Sequence, residues 1–168
     1  MAEKNQMTGV QLMKQMLFEE LGQIVRTSSK LIGSIKEEDW AFKPHPNMRS
    51  LRELVDHLVS VPSTDLLILK EHAEPDIRRL ESDIAADRDK TSLAARMAAG
   101  LQEVTEYMEA LDDETFLHRT TTPFYIDHPT AQAKWLIEIV THAQHHRAQL
   151  FQYLKQLGYS VTMFDLYG

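Results

Sequence analysis

The chain has 168 residues, with 18 Lys and Arg against 25 Asp and Glu, a formal net charge of −7, eight His and no Cys. This length predicts one domain, spanning residues 1–168, that buries a core without cross-links. The acidic balance argues against a nucleic-acid partner, which needs a basic face. The absence of Cys excludes disulfides, thiolate metal ligands and a cysteine nucleophile.

Membrane and export signals are also missing from the sequence. No run of about 18 apolar residues exists, so we expect no membrane partner. The first six residues, Met1 to Gln6, carry no apolar signal core. We therefore expect a cytoplasmic protein.

The first predicted helix runs from about Thr8 to Ile35. Apolar residues recur there every three or four positions, and Ser28 is the one interruption of that face. Thr8 is suited to the N-cap. The segment from Lys36 to Arg49 contains two prolines and is predicted to be a loop.

The second predicted helix begins after Ser50 and runs to about Lys70. Ser50 and Glu53 have the spacing of a capping box, which marks a helix start. Pro62 lies inside this helix and predicts a kink or a break there. The charged stretch 71–90 is either a short helix, from about Asp76 to Ala86, or a solvated crossover.

The third predicted helix runs from about Thr91 to Leu111, again with apolar residues at helical spacing. Asp112 to His128 is predicted to be a loop, with a weak strand pattern at Thr120 to Ile126. The fourth predicted helix begins at Pro129 and ends near Gly158. Beyond it, residues 159–168 form a tail expected to dock on the other helices. Four amphipathic helices of roughly 20 to 28 residues predict an all-α helix bundle.

Two histidines of the fourth predicted helix, His142 and His146, are four residues apart and so share one face. Trp135 and Ile139 lie on the same side, which turns the pair toward the core. Buried imidazoles need a partner, either a metal ion or a facing carboxylate or carbonyl, and the spacing alone leaves both open. Because Ala143 follows His142, an H-E-x-x-H metalloprotease is excluded.

A third histidine, His57, lies at the edge of the apolar face of the second predicted helix. From this position alone, a hydrogen-bonded boundary histidine is the favoured interpretation, and a metal ligand is the alternative. His145 lies on the flank of the fourth helix, about 100° from His146. The remaining four are expected at the surface, in loops or charged stretches: His45, His72, His118 and His128.

Two segments resemble motifs of the DinB family, the DinB/YfiT-like group of metalloenzymes that shares only its name with a DNA polymerase. Trp40 to Leu58, which ends in Ser-Leu-Arg-Glu-Leu-Val-Asp-His-Leu, resembles the second-helix motif of that family. His142 to Leu150 resembles its H-x-x-x-H-R-G-Q motif, with Ala148 in place of the usual Gly. The tail from Gly158 to Tyr167 is also similar, so the resemblance covers essentially the whole chain.

The resemblance implies a four-helix bundle of unusual connectivity, a mirror variant of the up-and-down form, and the long stretch 71–90 suits the crossover that this needs. It also implies a divalent metal ion bound by His57, His142 and His146, and a homodimer. Characterised relatives include thiol-dependent S-transferases and isomerases. At Ala148 we expect altered helix packing, not loss of the metal.

Three imidazole ligands leave a position open on a metal ion, as in catalytic sites. Nickel and zinc suit such ligands best, and iron and manganese less well. The ion would activate water for hydrolysis or bind the sulfur of a thiol, which must be a small-molecule cosubstrate because the chain has no Cys. The alternatives are a non-catalytic metal-binding module for stress response or interaction, and a metal-free bundle with structural histidines. Because imidazoles bind metal when neutral, metal affinity is expected to fall below roughly pH 6.

Two glutamates are candidates for a base or for a group that orients a ligand. Glu53 precedes His57, and Glu138 precedes His142, each by four residues and so on the same side of its helix. For both, a plain surface carboxylate is the alternative. Arg49 and Arg52 are weaker candidates, for holding an anionic substrate. Arg147 and Gln149 are expected to support helix packing or a dimer contact.

Overall fold

The computed structural model describes residues 7–168 of the chain and is mostly helical. Four long helices form the body, α1 (Gly9–Ser34), α2 (Leu51–Leu69), α4 (Lys90–Glu109) and α6 (Gln132–Gln156). Shorter helices are α3 (Glu74–Ala86), α5 (Asp113–His118) and α7 (Phe164–Tyr167). Two-residue strands, β1 (Thr120–Thr121) and β2 (Thr130–Ala131), pair antiparallel before α6. The predicted all-α bundle is confirmed. Residues 1–6, on which the expectation about a signal segment depends, lie outside the described residues.

Capping boxes begin the first two long helices at the predicted positions. The Thr8 hydroxyl accepts the Gln11 backbone N–H at 3.1 Å, and the Gln11 side chain accepts that of Thr8 at 3.0 Å. Ser50 and Glu53 make the same reciprocal pair, at 3.2 and 2.7 Å. Each box satisfies two backbone donors that a helix start leaves free.

A kink or a break is predicted at Pro62, and the break is not observed, because α2 continues through the proline to Leu69. Pro62 is buried against α4 at Gly100, where an added Cβ would lie 3.0 Å from the proline Cβ. The missing side chain lets the two helices approach closely. Burial of this face therefore compensates for the backbone hydrogen bond that proline removes, a cost of about 3 kcal/mol in an isolated helix interior.

Two other boundaries differ from the prediction. The helix expected from Pro129 begins at Gln132, since Thr130 and Ala131 pair with β1 instead. The loop expected from Asp112 contains α5, because the Asp112 carboxylate accepts the Thr115 backbone N–H at 2.7 Å and caps a short helix. The stretch 71–90 holds the short helix α3, which confirms the first of its two interpretations.

The long helices run up, down, down and up. Near its start, α1 meets the end of α4, where the Lys14 ammonium donates to the Met108 carbonyl at 3.0 Å. The end of α2 lies beside the end of α4, where the Lys70 ammonium is 5.7 Å from the Tyr107 ring centre. At the start of α2, the Arg49 carbonyl accepts the Tyr153 hydroxyl from the end of α6 at 3.0 Å.

Each long helix packs mainly against two others, α1 against α4 and α6, and α2 against the same two. The first two long helices are thus diagonal, whereas sequence neighbours are adjacent in a simple up-and-down bundle. The α3 crossover makes this arrangement, because it returns the chain so that α4 runs parallel to α2. The expected unusual connectivity with a long crossover is therefore observed.

The predicted docking of the tail is also observed, as α7 lies on α1. The Lys30 ammonium is 3.2 Å from the Asp165 carboxylate, and the buried Arg147 guanidinium donates to the Leu166 carbonyl at 3.1 Å. Over residues 7–168, no helix has both the length and the apolar character that crossing a membrane requires.

Candidate metal centre

The antiparallel packing of α2 and α6 brings together the three histidines predicted as ligands. One ring nitrogen from each of His57, His142 and His146 lies within 4.8 Å of the other two. The Nε2 atoms of His57 and His142 lie 3.3 Å apart. His146 is buried, whereas His57 and His142 are half-buried at the α2–α6 groove. We call these three residues the histidine cluster.

The donor set of the histidine cluster fits a divalent ion. Zinc–nitrogen bonds are about 2.0–2.1 Å, so two ligands of one tetrahedral ion are about 3.3–3.4 Å apart. The Nε2 atoms of His57 and His142 have that separation. A shared N–H···N hydrogen bond would explain this one distance, but not the convergence of a third imidazole at the same point.

Outer partners set the ring orientation of two of the histidines. Nδ1 of His146 lies 2.8 Å from the side-chain oxygen of Gln149, and Nδ1 of His142 lies 3.1 Å from Oδ2 of Asp65. An amide oxygen only accepts, and so does an ionised carboxylate, so each Nδ1 carries the proton. In both rings the Nε2 lone pair is then free, as a metal ligand requires.

Burial keeps two members of the histidine cluster neutral. It lowers the pKa of His57 to about 3, with further lowering by the charges of His146, Arg49 and His142. It also lowers the pKa of His146 to about 4, although the hydrogen bond with Gln149 acts in the opposite direction. Both imidazoles are therefore unprotonated at neutral pH and available to a cation.

A cleft of about 370 Å³ opens beside the histidine cluster. Its walls include Asp65 from α2, Trp135, Glu138 and His142 from α6, and Tyr125 from the loop between the two strands. Burial, followed by the negative charges of Asp65 and Glu138, raises the pKa of Tyr125. Since the His142 side chain is 35 % exposed, the site is accessible to a small molecule. This openness is typical of a catalytic metal centre and not of a structural one.

The two predicted glutamates lie in different surroundings. Glu53 is exposed, and its carboxylate accepts the Ser50 backbone N–H, which lowers its pKa and occupies it as a helix cap. Glu138 lines the cleft next to His142, with its carboxylate 3.0 Å from the Lys134 ammonium. The structure thus places Glu138 near the candidate centre and engages Glu53 elsewhere.

Asp65 is the site residue that the sequence analysis missed. It is 8 % exposed, and its hydrogen bond to His142 opposes the effect of burial, which raises the pKa of its carboxyl. A signal was present, because Asp65 is the only charged residue from Leu58 to Leu69. A carboxylate in an otherwise uncharged helix segment requires a polar partner, but the sequence does not show that the partner is His142.

Gln149 was expected to support packing or a dimer contact, and the structure instead places it against His146. Arg147 packs as expected, since its guanidinium donates to the Thr27 hydroxyl at 2.9 Å and to the tail. Arg52 donates to the Asp56 carboxylate at 3.0 Å and to the Asp87 carbonyl, which makes it structural. Arg49 is exposed and lies near enough to His57 to lower its pKa, so it remains able to meet an anion.

The other histidines are exposed, as predicted: His45, His72, His118 and His128. His145 is exposed too, but it lines the cleft, with its ring centre 4.8 Å from that of His146. Ala148 is exposed on α6, and the altered helix packing expected there stays a prediction.

The metal-free protein is expected to become less stable as the pH falls from about 6.5 toward 3. The folded-state pKa values of about 3 for His57 and about 4 for His146 lie below the unfolded value of 6.5. The unfolded chain therefore binds protons first, and acid favours it. We expect a loss on the order of 2 kcal/mol between pH 7 and pH 5, after allowance for solvent screening.

Urea unfolding at several pH values measures this slope, and a His57→Asn/His146→Asn double variant should flatten it. Equal slopes for the two proteins would contradict the assignment. At His57 and His146, the same lowered pKa values move competition between protons and a metal ion to a lower pH than the roughly pH 6 predicted from the sequence.

The four-helix fold and the accessible histidine cluster together define a class of helix-bundle protein with three convergent imidazoles at a groove. The chain belongs to the DinB family, whose model matches residues 1–168. No match was found among curated proteins.

Solved structures show the same fold. A DinB-family protein from Exiguobacterium sibiricum 255-15 is 29% identical, with 94% of this chain and 97% of that chain covered and a TM-score of 0.72. YfiT from Bacillus subtilis, described as a probable metal-dependent hydrolase with an unusual four-helix bundle topology, is 16% identical, with 95% of each chain covered and a TM-score of 0.72. YjoA from Bacillus subtilis, a DinB-like protein, is 18% identical, with 87% and 94% covered and a TM-score of 0.63.

Proposed function

We propose that this protein is a metal-dependent enzyme whose His57, His142 and His146 bind a divalent ion, nickel or zinc. The observation that carries the proposal is the convergence of three ring nitrogens within 4.8 Å beside an open cleft. Membership of the DinB family and the description of YfiT as a probable metal-dependent hydrolase support it. When bound, the ion supplies a Lewis acid for a small-molecule thiol or for water.

The chain's own residues then have distinct tasks. Asp65 and Gln149 hold the imidazoles of His142 and His146 with Nε2 toward the ion. Glu138 lines the cleft and is the proposed base for a proton released from the thiol or the water. Glu53 remains a weaker candidate, because its carboxylate is engaged in the capping box.

Two reaction types fit this arrangement. Transfer of a group to a small thiol is favoured by the lack of any Cys in the chain, since the sulfur must then come from a cosubstrate. Hydrolysis by activated water is favoured by the description of YfiT. The alternative is a metal-binding module for stress response or interaction, without turnover.

Metal analysis followed by two activity screens tests the proposal. We expect the purified protein to hold about one nickel or zinc ion per chain, and to lose turnover when the ion is removed and regain it on reloading. One screen offers small thiols with an electrophilic acceptor, and the other offers esters and amides. A protein that takes up no divalent ion would overturn the metal site. An ion-loaded protein without turnover in either screen would favour the non-catalytic module.

The predicted homodimer and cytoplasmic location stay predictions.

A further inference from the structure

The cleft beside the histidine cluster combines two carboxylates with two aromatic rings. Asp65 and Glu138 provide the carboxylates, and Tyr125 and Trp135 provide the rings. Over the described part of the chain, no Lys or Arg side chain lines this cleft. Carboxylates and aromatic faces together are the groups that proteins use to bind an organic ammonium ion.

Asp65 is the strongest of these groups. It is 92 % buried, and of its two oxygens only Oδ2 has a hydrogen-bond partner among residues 7–168, the His142 ring. The second oxygen has no donor from the residues that the structure describes, and a hydrogen bond from a charged donor to a carboxylate is stronger than one from a neutral donor. Because Asp65 lines the cleft, a cationic donor bound there would reach this carboxylate.

Glu138 extends the negative wall to the rim of the cleft. Its carboxylate is 3.0 Å from the Lys134 ammonium, and the side chains of Lys134 and Glu138 are 59 % and 42 % exposed. Exposed pairs of this kind are weak, so a ligand ammonium can share or displace the lysine. Lys134 is therefore a competitor for the same carboxylate.

We propose that this cleft binds the ammonium group of a small organic substrate whose reacting atom lies at the histidine cluster. The inference deepens the proposed function and rests on it only for the position of the reacting atom. A volume of about 370 Å³ is at the lower end of the range for small-molecule sites, which suits a compact amine.

Two unreactive probes of similar shape, one cationic and one neutral, test whether the cleft prefers an ammonium group. 2-Phenylethylammonium and 2-phenylethanol are titrated at pH 8 into the zinc-loaded protein and, in parallel, into the metal-free protein. We expect the ammonium to bind about tenfold more tightly in both forms. In ¹H–¹⁵N spectra the indole signal of Trp135, whose N–H has no partner among the described residues, should shift. The signal of Trp40, which lies over Arg52, should not shift.

Three charge variants locate the effect. Glu138→Gln should weaken ammonium binding by about threefold to tenfold, and Lys134→Gln should strengthen it because the competitor is removed. Glu19→Gln, the same charge change at an exposed position of α1, is the control and should leave binding unchanged.

Equal affinity for the two probes, or no binding of either, would overturn the inference. So would an unchanged preference in Glu138→Gln, or a preference confined to the metal-free protein, which would mean that the carboxylates serve the ion alone. Because the probes carry no metal-binding sulfur and undergo no reaction, the outcomes for the metal-free protein are independent of the metal analysis and of the activity screens.

Discussion

Replacing His142 by Ala is expected to lower zinc or nickel affinity by more than about a hundredfold. Loss of an outer partner of a ligand already costs about 10- to 100-fold in metal affinity, and His142 is proposed as a ligand itself. Its Nε2 is 3.3 Å from that of His57, a separation that suits two ligands of one ion. Competition with a chromophoric chelator measures the affinity.

His145→Ala is the matched control for this variant. His145 is an exposed imidazole on the same helix, with its ring 4.8 Å from that of His146, but it is not one of the three convergent residues. Its removal should change the affinity by less than about threefold, far below the cost of losing an outer partner of a ligand. A large loss in His145→Ala, or wild-type affinity in His142→Ala, would show that the cluster is not the metal site.

Arg147→Ala is expected to lower the free energy of unfolding by about 3 kcal/mol. The side chain is 2 % exposed, and its guanidinium donates to the Thr27 hydroxyl of α1 and to the Leu166 carbonyl of the tail. Truncation leaves a cavity and removes the donor that holds the tail on α1 and α6. For a chain of this size the melting temperature should fall by about 6–12 °C.

A control variant and a proteolysis experiment accompany Arg147→Ala. Arg79→Ala removes an exposed arginine of α3 and should stay within about 0.5 kcal/mol of the wild type. Limited proteolysis should release the tail of Arg147→Ala sooner than that of the wild type, because residues 159–168 lose one of the contacts that hold them. Unchanged stability together with an unchanged tail would refute the anchoring role of Arg147.

Local features of the fold were predictable, since local physics determines them. The helical period of apolar residues predicted the four long helices, and the Ser50–Glu53 spacing predicted the start of α2. The same reasoning allowed a break at Pro62 that does not occur, because contact with Gly100 of α4 outweighs a local penalty. It also placed the start of α6 too early, because β2 forms by pairing with a strand nine residues upstream.

In the candidate site, too, features that depend on local spacing were predicted and those that depend on distant contacts were not. The spacing of His142 and His146 is local, so their shared face was evident, but the addition of His57 depended on resemblance to a family and not on any pattern. Asp65, the partner of His142, was missed, and Gln149 was assigned to packing although it contacts His146. Glu53 was also considered as a base, which its role in the capping box disfavours.

By itself, the sequence determined the helices, their caps, the lack of thiolate metal ligands and the shared face of two imidazoles. Only the tertiary structure decided that α2 and α6 pack antiparallel at the depth that joins His57 to His142, residues 85 positions apart. Only it decided that Asp65 lies behind that pair beside an open cleft. The reason is physical. Periodicity and capping depend on neighbours within one or two turns, whereas the partner of a buried polar group depends on which helix faces meet.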